Sequence, residues 1–291
     1  MANTPQNTVV VVPPQNNIPQ QVFQGVAASA QCTVNVPIGA TYYGMQILFS
    51  GATSAQIASG VVRVLWVIDG ETIIDCSAAD LQTVYQAEGG TLTAGVLNIP
   101  IVPQYFRSWV STEVMGVGLG QSANSYLQVT FGSTITGITG ATLYTQAVPD
   151  NRPLGAHRRL LTQPQSVTAA GDWSLDLQRP GGAVLKNLYI CNAASATQMS
   201  LRVNNSYVRN AIPTAVMADT FNREGYVAQA DTLAQSFDEF QTGVGGLAMD
   251  GCTDLNLTTT VSEAPTGNLL RIVQEYAWNY AAYNRSVPNA A

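Results

Sequence analysis

Two halves of this chain carry the same succession of turns and short strands, and that repetition limits the fold more than any other feature. Asp69-Gly70 is a strong hairpin turn that closes a strand-like run from Val61 to Ile68. A return strand over 71–75 and a helix that Ser77 can cap follow it, the helix running through Leu81, Val84 and Tyr85 to Gly89-Gly90. In the second half, Asn204-Asn205-Ser206 closes a run from Met199 to Val203 and leads into a helix-like stretch from Pro213 to Phe221. Gly70 and Ser206 lie 136 residues apart in a chain of 291. Around these markers sit further short strands, the pattern of an all-β sandwich rather than of βαβ units.

In the first half, Val34, Val36 and Ile38 alternate with polar or small neighbours, and Met45, Ile47 and Phe49 do so again before Ser50-Gly51. The run Val61 to Ile68 is apolar enough for a strand covered on both faces. Later strands are expected at 92–101, 114–119, 125–132 and 140–147, with a helix over 104–112. In the second half, Trp173, Leu175 and Leu177 alternate, Gly181-Gly182 turns, and Val184 to Cys191 forms the next strand. Strands at 232–240, 244–249, 253–261 and 268–276 complete the set. The expected fold is all-β, two consecutive eight-stranded jelly rolls with short helices in loops. The expected boundaries are an N-terminal arm at 1–28, a first roll at 29–148, a linker at 149–170, a second roll at 171–280 and a tail at 281–291. Three prolines and the sole histidine break the strand pattern between Pro149 and Pro164, hence the linker.

Charged residues make up 10% of the sequence, against about 25% in ordinary soluble domains. Apolar residues, at 46%, rule out disorder as the reason. Interface cores are depleted in charge, and in lysine above all, so a chain whose single lysine is Lys186 suits burial against neighbouring copies of itself. A net charge of −6 argues against direct nucleic acid binding. Cys32, Cys76, Cys191 and Cys252 have no metal-ligand spacing and are expected as buried free thiols. No signal peptide or membrane-spanning run is recognised, so synthesis in a cytoplasm is expected.

Catalytic candidates are poor. His157 is the only imidazole and sits in the expected linker beside Arg158 and Arg159, a doublet read as solvated or packing. Gly116-Val117-Gly118-Leu119-Gly120 lacks the Gly-Lys-Ser/Thr ending of a phosphate loop and reads as a glycine-rich strand or bulge. Asp231, Asp238, Glu239, Asp250 and Asp254 could gather oxygens for calcium, but without EF-hand spacing they read as solvated or interface carboxylates. Of Trp66, Trp109, Trp173 and Trp278, three sit in strand-like apolar patterns and read as core rather than as stacking platforms. No catalytic, cofactor-binding or metal residue is assigned.

Four stretches in this order resemble the major coat protein of corticoviruses, tailless icosahedral phages with a membrane inside the shell. They are VNVPIGATYYGMQILFSGATSAQI (Val34 to Ile57), RVLWVIDG (Arg63 to Gly70), LQRPGGAVLKNLYI (Leu177 to Ile190) and RIVQEYAW (Arg271 to Trp278). The resemblance implies upright double jelly rolls, homotrimers with a six-sided outline, and trimers tiling a virion shell over a membrane. It also implies a vertex protein and membrane-associated proteins as partners. Coats of this family can use structural calcium, though no ligand position can be matched here; the longer N-terminal arm and the tail depart from the pattern. The expected function is therefore a structural major capsid protein and not an enzyme. The rivals are a trimeric receptor- or glycan-binding spike, which would need exposed aromatic loops, and a β-sandwich hydrolase, which would need a cleft with convergent carboxylates.

Overall fold

The computed structural model describes residues 15–103, 115–238 and 245–278. Its strands, numbered in chain order, form three sheets. The first outer sheet runs β1 (Gln15–Val22), β9 (Gly140–Pro149), β3 (Ala40–Ser50), β6 (Val96–Ile99), with β7 (Val117–Gly118) also on β3. The second outer sheet runs β11 (Gly171–Asp176), β17 (Leu255–Val261), β13 (Ala196–Val203), β14 (Ser206–Pro213). Between them, a nine-stranded sheet begins with β2 (Gln31–Asn35), β8 (Ser125–Phe131), β4 (Val61–Ile68) and β5 (Glu71–Cys76). It continues through β10 (His157–Ser166), β18 (Leu269–Trp278), β12 (Ala183–Cys191) and β15 (Thr232–Ser236), with β16 (Leu247–Ala248) also on β12.

These pairings duplicate without exception. Adding nine to each strand number turns the first roll's order into the second's, down to the short strand β7 on β3 and its counterpart β16 on β12. Pairing is antiparallel except where β5 meets β10, with Leu160 opposite Ile74 and Leu161 opposite Asp75. That one parallel contact fuses the inner sheets of the two rolls. The helices are α1 (Ser54–Gly60), α2 (Ala78–Ala87) and α3 (Thr214–Arg223). Helices α2 and α3 each follow the same strand of their roll, and they start 136 residues apart, the spacing read from the turns.

Local chemistry explains the punctuation. Asp69 and Gly70 both take positive φ (50° and 84°), as do Asn204 and Asn205 (48° and 65°), the conformation two-residue hairpin turns demand. The Asp69 carboxylate then accepts the N–H groups of Ala123 and Asn124 at 2.8 and 2.9 Å. Ser77 Oγ accepts the Asp80 N–H at 3.1 Å to start α2. Gly89, at φ 88°, ends it by donating to the Gln86 carbonyl. The short helix α1, held by a Thr53–Gln56 capping box, was not anticipated.

Alternation along the central sheet shows which face each roll uses. Leu188 and Ile190 of β12, with Leu270 and Ile272 of β18, pack into an aliphatic core under the second outer sheet. Tyr189, Cys191 and Val273 join the core containing Val64 and Trp66 of β4 instead. The two outer sheets therefore cover opposite faces of the central sheet.

Four expectations need correction. Residues 15–22 are not arm but β1, paired with β9; Pro19 is tolerated because β1 is an edge strand with register shifts on either side of it. The segment expected as linker contains β10, a central strand; Pro164 fits because β5 pairs only with residues 160 and 161, leaving no partner on that side to need its missing N–H. Strand β14 was read as turn and helix approach, since its largely exposed face gives no apolar alternation. Strand β4 is not covered throughout: Val62 is 50% exposed, and Arg63 reaches out to clasp Asp75 at 2.6 and 2.7 Å. The helix expected over 104–112, Trp109, Glu239 and the tail 281–291 lie outside the described residues.

Candidate functional site

The concentration of buried charge lies where the rolls join. Strand β10 brings in Arg158, α2 ends at Glu88, and β18 supplies Glu275, all three buried. Arg158 pairs with Glu88, with Glu275 at 3.0 Å, and with the Pro100 carbonyl at 3.2 Å. Burial by itself would lower the Arg158 pKa, but the Glu275 and Glu88 carboxylates hold it well above the usual arginine range. Glu275 also accepts from Asn187 Nδ2 at 2.8 Å and from the Tyr189 hydroxyl at 3.2 Å, and Asn187 Nδ2 lies 3.3 Å from the Tyr226 hydroxyl.

A second tie sits on the same helix. Asp80, fully buried, accepts from Arg271 Nε of β18 at 2.7 Å and from the Thr162 hydroxyl of β10 at 3.3 Å. One helix of the first roll thus carries two carboxylates, Asp80 and Glu88, that bind arginines on two strands of the second. The segment after α3 closes the other side. Val227 donates its N–H to the Ala87 carbonyl at 2.7 Å, Tyr226 stacks on Phe221 at 4.5 Å, and Phe221 meets Tyr189 edge-on at 6.1 Å. Buried ion pairs seldom add net stability, because desolvation offsets the attraction, but removing one partner leaves an uncompensated buried charge. The joint ties α2 of the first roll to β10 and β18 of the second.

The other residues singled out in sequence are dispersed. His157 is fully buried; its Nδ1 faces the Gly155 carbonyl at 2.8 Å, and its Nε2 takes the Arg159 Nε–H at 3.1 Å. That arrangement requires a neutral ring with the proton on Nδ1, and burial, backed by the Arg159 charge, pulls the pKa down to about 4. Arg159 in turn pairs with Glu71 and lies 3.6 Å above the Trp278 ring. The doublet is thus packing, not solvated. Among the glycines of 116–120, a Cβ on Gly118 would fall 2.5 Å from the Pro153 oxygen and one on Gly120 2.2 Å from the Asn151 carbonyl carbon. They let two backbones touch, as a glycine-rich strand does.

The acids do not converge. Asp238 is buried beside Lys186, Asp250 accepts the Gly182 N–H at 2.7 Å, Asp254 faces Arg202 at 3.5 Å, and Asp231 is an exposed turn residue. Among the described residues no group of three or more His, Cys, Asp or Glu could hold a metal ion. Trp66 is core, bonded through Nε1 to Ser125 Oγ at 2.9 Å, whereas Trp173 and Trp278 are only half-buried. Cys32, Cys76 and Cys191 are buried free thiols; Cys252 is half-buried. Sequence reading missed the joint because its members are scattered from 80 to 275. The doublet Arg158-Arg159 ahead of Leu160-Leu161 was the one available signal.

Residues 17–148 match the family model of the viral coat protein P2 N-terminal domain. The whole chain is similar in fold to the major capsid protein P2 of bacteriophage PM2, at TM-score 0.77 and 17% identity over 90% of this chain and 96% of that one. It is similar to the STIV MCP at 0.65 and 12%, over 95% and 99%. The PBCV-1 virus capsid follows at 0.63 and 11%, over 90% and 94%. No curated protein matches the sequence. The chain is a double jelly-roll, as the duplicated strand order requires. No described helix is long and apolar enough to cross a membrane.

Proposed function

We propose that this chain is the major capsid protein of an icosahedral phage, that three copies form a pseudo-hexameric capsomer, and that capsomers tile a shell over an internal membrane. The observation that carries the reading is the nine-strand offset that relates the two rolls: a trimer of such chains presents six similar units around one axis. Charge distribution supports it. At least eight of the ten basic residues in the described segments are ion-paired within the chain, which leaves no clustered positive surface of the kind nucleic acid binding needs. A vertex protein and membrane-associated proteins complete the proposed shell, which uses no catalytic step and does not bind the genome directly.

Native mass spectrometry with negative-stain electron microscopy tests the proposal. A mass of three chains with a hexagonal outline, or closed shells, is the expected result. A stable monomer overturns it.

A further inference from the structure

Eleven of the twelve basic residues are arginine, and the one lysine, Lys186, is buried. That choice is informative, because arginine suits buried ion pairs better, whereas a buried lysine can lose its proton and act as a nucleophile. Lys186 occupies a bulge: the pairing of β12 with β18 shifts between Leu185 and Asn187. Leu185 and Leu188 on either side both pack into the second-roll core. The extra residue in the bulge lets both Lys186 and Asn187 turn away from that core, toward the joint.

There Lys186 Nζ lies 3.4 Å from Oδ2 of Asp238, a carboxylate with no exposed side-chain surface, and it also donates to the Gly245 carbonyl. Asp238 is held in place by two further bonds: its Oδ1 accepts the Gly245 N–H at 3.1 Å, and its backbone N–H reaches Ser236 Oγ at 3.1 Å. Strand β12 lies between β15, which leads to Asp238, and β18, which carries Glu275 opposite Asn187. An amine on β12 and a carboxyl group just after β15 thus meet in a region shielded from water. Burial pushes the Lys186 amine toward its neutral form, with the Asp238 and Glu275 charges opposing it.

We infer that Lys186 and Asp238 form an intramolecular isopeptide bond. Proton transfer within the ion pair gives a neutral amine and a carboxylic acid. The nitrogen lone pair attacks Cγ of Asp238, the N–Cγ bond forms, and one Cγ–O bond breaks. The departing hydroxyl takes the proton shed by nitrogen and leaves as water, so no oxidant or reductant is needed. The product ties the segment after β15 covalently to β12 and locks the second roll beside the joint.

Mass spectrometry of the intact, denatured protein and of its proteolytic fragments tests this directly. The expected result is a mass about 18 Da below that of the processed sequence, one water lost, with a branched fragment joining the peptides that contain Lys186 and Asp238. In Lys186→Arg and Asp238→Ala the deficit and the branched fragment disappear. Full sequence mass with two linear peptides in the wild-type protein overturns the inference, whether or not the chain assembles, and leaves the coat reading untouched.

Discussion

The two rolls share one strand order but not one way of being covered. In the first, strand β9 alternates buried and half-buried positions, with one face toward the core and the other toward solvent. In the second, β12 is buried at all nine positions, because its own aliphatic core covers one face while Asn187 and Tyr189 meet the joint of α2, α3 and Tyr226 on the other. The first core holds Trp66, Phe49 and Phe131, the last two edge-on at 6.3 Å, whereas Tyr276 is the one fully buried aromatic of the second, with Trp173, Phe237 and Trp278 half-buried at its rim. A duplicated topology therefore carries two different burial schemes. Charged residues enter the interior where the doubly covered sheet meets a helix of the other roll.

The comparison breaks most visibly at Arg158. Replacing it with leucine leaves Glu88 and Glu275 buried beside each other without their shared cation. Removing one partner of a buried pair costs about 3–5 kcal/mol. Urea denaturation is expected to show a midpoint lowered accordingly, with the slope unchanged if both rolls still unfold as one unit. A loss below about 1 kcal/mol would mean that the Arg158 cluster adds little to what sheet continuity and the Asp80–Arg271 tie already supply.

His157 gives the next effect, and its direction follows from its burial. The folded ring, with its pKa near 4, stays neutral in a pH range where the unfolded ring, near 6.5, takes up a proton. Stability is therefore intact above about pH 6.5, falls as pH drops toward about 4, and loses nothing further from this residue below that. The slope within the window is at most about 1.4 kcal/mol per pH unit. A His157→Gln variant should flatten the difference between denaturation midpoints at pH 7 and pH 5. An unchanged slope would place the acid sensitivity elsewhere.

What could be read from sequence divides along the same line as the burial schemes. Strands with one solvated face, such as that of Met45, Ile47 and Phe49, announce themselves by alternation, and hairpins by Asp69-Gly70 and Asn204-Asn205. Strand β10 hid because a strand buried by neighbours on both sides need not alternate, and because Pro164 signals a break unless one knows that β5 stops short of it. Strand β14 hid for the opposite reason, being largely exposed. The joint could not be seen at all: Asp80 and Arg271 are 191 residues apart, and only the closed fold brings them together.

The smallest test concerns α2 and α3, which stand at equivalent places but begin differently. Helix α2 starts on Ser77, whose hydroxyl satisfies one of the free N–H groups of the first turn; α3 starts on Pro213, with no side-chain cap. Ser77→Ala should cost about 1 kcal/mol, measured by the same urea titration. Because α2 carries both Asp80 and Glu88, that loss should loosen the joint as well as the helix, so hydrogen exchange should quicken in β10 and β18 together with α2. In α3, Pro213→Ser gains a cap but loses the restriction that proline places on the unfolded chain, two effects of about 1 kcal/mol or less that oppose each other. A near-zero change there beside a measurable loss at Ser77 would show that the joint leans on the first roll's helix. Equal losses at both sites would show that the two helices still act as the equivalent elements their positions suggest.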